Sequence, residues 1–222
     1  MNLCLFDLDH TLLPIDSDHE FGAFLCRVGL ADPVTHRARN DEFYRQYCDG
    51  TLVLEEYIQF STSAWRHLSA DEQARLQERF LAEVVQPAIR PPAVELVQKH
   101  RDMGDLIAIV TATNEFVTRP IADAFGVADL IAVKLVRDAQ GRVTGEIDGV
   151  PSFREGKITR VAQWLEERGQ ALTDFDRVSF YSDSPNDLPL LEQATDPVAT
   201  NPSPSLEAEA KARGWRLLNL FQ

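Results

Sequence analysis

Residues 3–12, LCLFDLDHTL, decide the fold. The first half of this stretch is a short, continuous apolar run, and the second half carries two aspartates, Asp7 and Asp9. A continuous apolar run of this length is typical of a parallel strand that is buried on both faces. We therefore predict a central strand whose carboxyl end presents Asp7 and Asp9.

Two later apolar runs end in the same way. Residues 106–110, LIAIV, lead into Thr111, and residues 178–181, VSFY, lead into a segment that contains Asp183. Helical periodicity fills the sequence between these strands, and this alternation predicts an α/β fold with a doubly wound parallel sheet. Ligands bind outside the carboxyl ends of the strands in such sheets, so we expect the polar groups at the strand ends to converge.

Residues 16–86 have a different pattern, since helical periodicity continues there without a strand. Thr51 is a candidate N-cap for one of these helices, and Ser69 with Glu72 forms a candidate capping box for another. The proline-rich residues 87–92 interrupt the pattern. We predict a core of residues 1–15 and 87–222 with a helical cap domain inserted at residues 16–86.

Two smaller predictions concern packing and a hairpin. Phe21, Phe24 and Tyr44 have the spacing of residues that face a hydrophobic core, and this role is favoured over lining a pocket. Residues 130–136 and 142–147, with a glycine-containing turn between them, predict the two strands of a small hairpin.

Composition restricts the class of partner. The chain of 222 residues carries 35 acidic and 22 basic side chains, a formal charge of −13, which disfavours nucleic acid. No apolar run approaches the roughly 20 residues that a membrane helix needs, and the N-terminus lacks a signal-peptide pattern, so we expect a cytoplasmic protein without membrane contact. Cys4, Cys26 and Cys48 lack metal-site spacing and are expected to stay reduced. The sequence does not indicate an oligomeric state.

The acidic residues at the strand ends point to a cation. Asp183 and Asp187 would add their charges to those of Asp7 and Asp9 at one edge of the sheet. Such a group of carboxylates is unfavourable unless a cation neutralises it. Oxygen ligands favour Mg²⁺, which also shares its coordination shell with water and phosphate groups. The sequence therefore predicts a Mg²⁺ ion among these carboxylates.

Four motifs together resemble those of the haloacid dehalogenase-like hydrolase superfamily: FDLDHTL at 6–12, VTAT at 110–113, Lys157, and SDSPNDL at 182–188. Their order matches as well. The long segment between the first two motifs resembles the phosphoserine-phosphatase-like group, which has a helical cap of the C1 type. The resemblance implies a phosphatase that acts on a small phosphate ester. It disfavours a dehalogenase or a transport ATPase, because those proteins lack an acid at the position of Asp9.

The resemblance also implies a role for each motif residue. Asp7 would be the nucleophile that forms an aspartyl-phosphate, and Asp9 would be the general acid and base. Thr111 would bind the transferring phosphoryl group, and Lys157 would offset its charge. Asp7, Asp183 and the backbone carbonyl of Asp9 would hold Mg²⁺.

The remaining motif positions imply supporting roles. Asp187 would orient neighbouring groups rather than bind the metal. Asn186 would reach the phosphate, and Ala112 and Thr113 would contact substrate. Should Lys157 not reach the site, the candidates to replace it are Arg154 and Arg160.

Substrate preference depends on Asp16 and Asp18. In phosphoserine phosphatases an acidic residue nine positions after the nucleophile contacts the amine, and that offset gives Asp16, with Asp18 nearby. Each could instead cap the first cap helix. The motif version YSDS at 181–184 is more similar to bacterial histidinol-phosphate phosphatases. We therefore expect an amine-bearing substrate, with histidinol phosphate favoured over phosphoserine.

Two alternatives stay open. The first is phosphoryl transfer to a second metabolite, because Asp9 could activate either acceptor. The second is a catalytically idle binding module of the same fold. The presence of Asp7, Asp9, Lys157 and Asp183 argues against this module, since binding alone would not require these charges to meet.

Overall fold

The computed structural model describes residues 1–221, and its centre is a six-stranded parallel sheet. In chain order the strands are β1 (Asn2–Phe6), β2 (Leu106–Asn114), β3 (Asp129–Val133), β4 (Leu135–Arg137), β5 (Val143–Ile147), β6 (Arg177–Ser182), β7 (Asp196–Thr200) and β8 (Arg216–Leu218). The large sheet has the order β3-β2-β1-β6-β7-β8, and all of its pairings are parallel. The predicted doubly wound α/β fold is confirmed.

Strand β1 is buried on both faces. Leu3 and Leu5 pack into one hydrophobic cluster, and Cys4 and Phe6 pack into a second cluster on the opposite face. Alternate residues of a strand point to opposite faces, so two covered faces require apolar residues at every position. This burial explains the continuous apolar run at the start of the chain.

Helices cover both faces of the sheet. In chain order they are α1 (Ser17–Arg27), α2 (Thr35–Cys48), α3 (Leu54–Ser63), α4 (Ala70–Phe80), α5 (Gln86–Ala88), α6 (Pro91–Asp102), α7 (Glu115–Ala124), α8 (Glu155–Glu166), α9 (Leu188–Leu191) and α10 (Pro204–Arg213). A π-helical segment, Leu81–Val85, joins α4 to α5. We call α1–α4 the cap helices. The domain boundaries at residues 15/16 and 86/87 stay a prediction. No helix among residues 1–221 has the length and apolar character needed to cross a membrane.

The two predicted caps have different outcomes. Ser69 and Glu72 form the predicted capping box at the start of α4. The prediction for Thr51 is wrong, because α3 begins at Leu54 and its N-cap, Val53, provides no side-chain hydrogen bond. Thr51 closes the preceding helix instead, since its backbone N–H donates to the carbonyl of Gln46 at 2.8 Å.

The cap helices contact the core through aromatic residues. Trp65, which follows α3, stacks on Phe116 of α7 with ring centroids 3.7 Å apart. Phe21 and Phe24 are buried against Phe80, as predicted for core residues. The three cysteines are free thiols, also as predicted.

The predicted hairpin needs a correction. Residues 130–136 do not form one strand, because β3 belongs to the large sheet and β4 starts two residues after β3 ends. Only β4 pairs with β5, in antiparallel orientation. This hairpin lies against α3 of the cap, where Nη1 of Arg66 donates to the carbonyl of Thr144 at 2.7 Å.

Candidate active site

The candidate site lies where the winding of the sheet reverses. Strands β1 and β6 are neighbours, and the later strands continue outward from each of them in opposite directions. Asp7 directly follows β1, and Asp183 directly follows β6. A crevice forms at such a reversal because the connections leave the two strands on opposite faces. The predicted convergence of polar strand ends at this edge is therefore observed.

A cavity opens at this edge, between the strand ends and the cap helices, and its empty space of about 650 Å³ includes the part that is open to solvent. The lining residues are Asp7, Asp9, His10, Asp16, Asp18, His19, Asn40, Phe43, Tyr44, Tyr47, Leu52, Leu54, Tyr57, Thr111, Ala112, Thr113, Phe153 and Asp183.

Asp7 is held in place by both its backbone and its side chain. Its N–H donates to the carbonyl of Tyr181 at 2.9 Å, which ties the end of β1 to β6. Its side-chain atom Oδ1 accepts a hydrogen bond from Nζ of Lys157 at 2.8 Å. Burial raises the pKa of Asp7 to about 7, while Lys157 opposes the shift by favouring the ionised carboxylate. A nucleophilic role requires that ionised form.

Lys157 is almost fully buried between two carboxylates. Its Nζ lies 2.8 Å from Oδ1 of Asp7 and 2.7 Å from Oδ1 of Asp187. The hydroxyl of Ser182 donates to Oδ2 of Asp187 at 2.7 Å and fixes that carboxylate. Burial alone would lower the pKa of Lys157, but the two carboxylates overcome this and raise it above the ordinary value. The lysine is therefore charged, and Asp187 contacts it, while the orienting role of Asp187 stays a prediction.

The two fallback cations lie elsewhere. Arg154 donates to the carbonyl of Gly50 at the end of α2. Nε of Arg160 is buried and has no hydrogen-bond partner within residues 1–221. The structure therefore brings Lys157, rather than either arginine, to Asp7.

Asp9 is oriented by two hydrogen bonds. Oδ1 accepts from the N–H of Ser17 at 2.7 Å, and Oδ2 accepts from the hydroxyl of Thr113 at 2.9 Å. Burial, followed by repulsion from Asp16, raises the pKa of Asp9 to about 7. A carboxyl group with this pKa can donate a proton near neutral pH and take one back, as a general acid and base must.

The end of β2 provides the next three cavity residues. Thr111 is buried, and its Oγ1 accepts from the N–H of Thr113 at 3.1 Å. Ala112 lines the cavity beside it. Thr113 was predicted to contact substrate, but its hydroxyl donates to Asp9. Its visible role is therefore to position the carboxyl group of Asp9.

The residues present fit a Mg²⁺ ion. The hydroxyl of Thr11 lies 3.2 Å from Oδ2 of Asp7 and 3.3 Å from Oδ1 of Asp183, so both carboxylates face one small space. Burial and repulsion from Asp7 raise the pKa of Asp183, and a cation would relieve this repulsion. Among residues 1–221, no group of three His, Cys, Asp or Glu side chains surrounds a metal position. Two carboxylates suit Mg²⁺, which keeps several water ligands and shares substrate phosphate oxygens.

Asp16 and Asp18 both line the cavity but have different surroundings. Asp16 is the N-cap of α1, and its Oδ1 accepts from the N–H of His19 at 2.7 Å. The capping alternative therefore holds for Asp16. Asp18 lies in the first turn of α1, is 7% exposed, and caps nothing.

The geometry revises two predictions and adds one residue to the site. Asn186 does not line the cavity, and its side-chain amide donates to the carbonyl of Tyr47 at 3.4 Å. Tyr44 was expected in the core, but it lines the cavity, where its hydroxyl lies 3.3 Å from Nε2 of His10. Thr11 belongs to the first motif, and the sequence predicted no role for it, but its hydroxyl contacts both Asp7 and Asp183. In the sequence, the feature that could have indicated this role is the position of Thr11, four residues after Asp7.

Comparisons with known proteins identify the family to which this chain belongs. The model of the haloacid dehalogenase-like hydrolase family matches residues 4–192. A histidinol-phosphatase of Neisseria meningitidis serogroup C (strain 8013) is 43% identical over 218 residues, which cover 98% of each chain. A crystal structure of a protein with unknown function from Bordetella pertussis Tohama I has a TM-score of 0.94 and 51% identity, with 99% of each chain covered.

A more distant structural likeness concerns the fold alone. A substrate-bound phosphoserine phosphatase has a TM-score of 0.68 at 18% identity, with 97% of this chain and 91% of that chain covered. At this level of identity, the likeness shows a shared architecture of sheet and helices.

Proposed function

The chain belongs to the haloacid dehalogenase-like hydrolase family and is a phosphatase of that family, and on this premise we propose that it is a Mg²⁺-dependent phosphomonoesterase. The proposed substrate is a small, amine-bearing metabolite phosphate, with histidinol phosphate favoured and phosphoserine next. The observation that carries the proposal is that Asp7, Asp9 and Asp183 line one cavity, while the buried Lys157 pairs with Asp7.

The proposed reaction has two steps. Asp7 attacks phosphorus, a bond forms between its carboxylate oxygen and phosphorus, and the ester bond breaks while Asp9 donates a proton to the leaving oxygen. Asp9 then removes a proton from water, which attacks the aspartyl-phosphate, releases phosphate and regenerates Asp7. Lys157 and the hydroxyl of Thr111 would stabilise the charge on the transferring phosphoryl group.

The metal would be held by Asp7, Asp183 and the backbone carbonyl of Asp9. When bound, Mg²⁺ supplies positive charge that offsets the phosphoryl oxygens and the surrounding carboxylates. The thermal stability of the metal-free protein, measured with and without added Mg²⁺, tests this binding independently of turnover.

The charge of the cavity favours histidinol phosphate over phosphoserine. Both molecules carry an ammonium group, but only phosphoserine also carries a carboxylate. Within residues 1–221, neither lysine nor arginine contributes to the cavity lining, whereas five aspartates do. A substrate carboxylate would therefore enter a negative cavity without a cation to pair with, which is unfavourable. The aromatic lining residues Phe43, Tyr44, Tyr47 and Tyr57 suit a flat heteroaromatic ring.

The test is phosphate release from histidinol phosphate, phosphoserine, serinol phosphate, a sugar phosphate and an aryl phosphate, with Mg²⁺ and with a chelator. Serinol phosphate differs from phosphoserine by a hydroxymethyl group in place of the carboxylate. We expect Mg²⁺-dependent release that is fastest for histidinol phosphate, and faster for serinol phosphate than for phosphoserine. Asp7→Asn should release none, because the amide is a poor nucleophile. Wild-type rates for Asp7→Asn would refute the mechanism, and equal rates for the serinol and serine esters would refute the charge argument.

A further inference from the structure

Asp18 is a buried carboxylate that faces the cavity without a cationic partner. It is 7% exposed, and it lines the cavity that holds Asp7 and Asp9. The side-chain amide of Asn114 contacts it, with Nδ2 of Asn114 3.5 Å from Oδ1 of Asp18. Within residues 1–221 Asp18 forms no ion pair with lysine or arginine. A buried carboxylate is unfavourable in such surroundings unless a positive charge joins it.

The polar groups beside Asp18 are arranged as a fixed support. Oδ1 of Asn114 accepts from the N–H groups of Phe116 and Val117 at the start of α7, so its amide N–H₂ group faces Asp18. Tyr57 of α3 lines the cavity with Asp18, and its hydroxyl lies close enough to favour the ionised form of Asp18. The carboxylate is therefore held between core and cap by neutral donors, which leaves its charge available for a ligand.

The two histidines of the cavity lining do not supply that charge. Nε2 of His19 lies 2.8 Å from Oδ1 of Asp41, and Nε2 of His10 lies 3.3 Å from the hydroxyl of Tyr44. Burial, followed by repulsion from Asp16, raises the pKa of Asp18 above its ordinary value. This shift has the direction expected for a carboxylate that lacks a cation.

Asp16 has a different structural role. Its Oδ1 is engaged by the N–H of His19 as the N-cap of α1, and the residue is only half-buried. An aspartate in this position stabilises the first turn of the helix whether or not substrate is bound.

We propose that Asp18, and not Asp16, binds the ammonium group of the substrate. This assignment rests on the proposed phosphatase function and deepens it, because it names the residue that selects an amine-bearing phosphate. In the bound state the ammonium group would occupy the side of the Asp18 carboxylate that faces the cavity. Asn114 and Tyr57 would keep that carboxylate in place.

Two matched variants and two matched substrates test the assignment. Asp18→Asn and Asp16→Asn each remove one charge without changing side-chain size, and asparagine preserves the helix cap at position 16. Histidinol phosphate is compared with 3-(imidazol-4-yl)propyl phosphate, which lacks only the amino group. For Asp18→Asn we expect kcat/KM to fall about 100-fold with histidinol phosphate, because a desolvated charge pair is lost. The value for the amine-free ester should change by less than about threefold.

Asp16→Asn is expected to change kcat/KM for the two esters by the same factor. An amine-selective loss in Asp16→Asn, or an equal loss for both esters in Asp18→Asn, would overturn the assignment. Should wild-type protein hydrolyse neither ester, the proposed function would fail first, and the assignment of Asp18 would fall with it.

Tyr57→Phe provides a variant that keeps the buried charge, in case Asp18→Asn does not fold. It removes only the hydroxyl that supports Asp18. We expect a loss of roughly tenfold with histidinol phosphate and little change with the amine-free ester, the effect of losing one polar contact to a charged group. Equal effects on both esters would contradict the proposed role of Asp18.

Discussion

Nζ of Lys157 lies 2.8 Å from Oδ1 of Asp7, although 149 residues separate them in the chain. Asp7 directly follows the central strand β1, and Lys157 lies in the first turn of α8, which packs over the sheet. Asp187 shares the same ammonium group at 2.7 Å. The two negative charges are thereby held beside one buried positive charge.

Replacing Lys157 by methionine is the first prediction. Methionine has a similar length but no charge, so Asp7 and Asp187 would lose their common cation. We expect kcat to fall about 100- to 1,000-fold and the free energy of unfolding to fall by about 3 kcal/mol. Steady-state kinetics and urea unfolding measure the two effects. Arg160→Met makes the same charge change on the same helix and should leave kcat within about twofold of wild type.

Asp9→Asn should separate the two proposed steps. An aryl phosphate has a leaving group that needs little protonation, so attack by Asp7 would still occur. Asparagine cannot activate water, and hydrolysis of the aspartyl-phosphate would slow by about 100-fold or more. A burst of aryl alcohol and a covalent phosphoryl adduct on Asp7, detected by mass spectrometry, are the expected results. Release of phosphate at the wild-type rate without an adduct would contradict the role of Asp9.

The strand ends of the site could be predicted from sequence because burial on both faces requires continuous apolar runs. The runs before Asp7, Thr111 and Asp183 each ended at a polar residue, and a parallel sheet brings such ends to one edge. The order of the motifs then indicated Lys157, which alone would have looked like an ordinary charge on a helix. Local pattern and sheet topology were sufficient for the strand ends, whereas Lys157 was identified from the resemblance to the family.

The cavity walls could not be predicted in the same way. Phe21 and Tyr44 both have helical core spacing, yet Phe21 packs on Phe80 and Tyr44 lines the cavity. Periodicity tells which residues share a helix face, but it does not tell what covers that face. The different roles of Asp16 and Asp18 also depend on tertiary contacts, since both are acidic residues at the start of one helix.

His100 gives a prediction about pH. It is buried, with Nδ1 2.7 Å from Oδ2 of Asp105 and Nε2 2.8 Å from the hydroxyl of Tyr181. Burial lowers the pKa of His100 below its ordinary value, although Asp105 opposes this shift. The unfolded chain therefore binds a proton more readily than the folded protein, so this histidine lowers stability as the pH falls from about 6.5 toward the folded pKa.

His100→Gln tests this linkage. Glutamine does not titrate, so the fall in unfolding free energy between about pH 6.5 and pH 5 should be smaller than in wild type. Stability at pH 7.5 should also drop by about 1–3 kcal/mol, because Asp105 and Tyr181 lose a fitted partner. His67→Gln removes an exposed histidine and serves as the control. An unchanged pH slope in His100→Gln would refute the assignment.

Gly145 is a point of close approach between the hairpin and the cap. It has a φ of +92°, and a Cβ atom there would lie 1.9 Å from Nη1 of Arg66. Gly145→Ala must therefore displace the arginine that donates to Thr144, and it also strains the backbone. Gly141→Ala introduces an alanine at a φ of +77° with no atom within 4 Å, so it reports strain alone.

We expect Gly141→Ala to lower the unfolding free energy by about 1 kcal/mol and Gly145→Ala by about 3 kcal/mol, both measured by urea unfolding. Since the larger loss would come from the broken contact between hairpin and cap, equal losses in the two variants would show that this contact contributes nothing to stability.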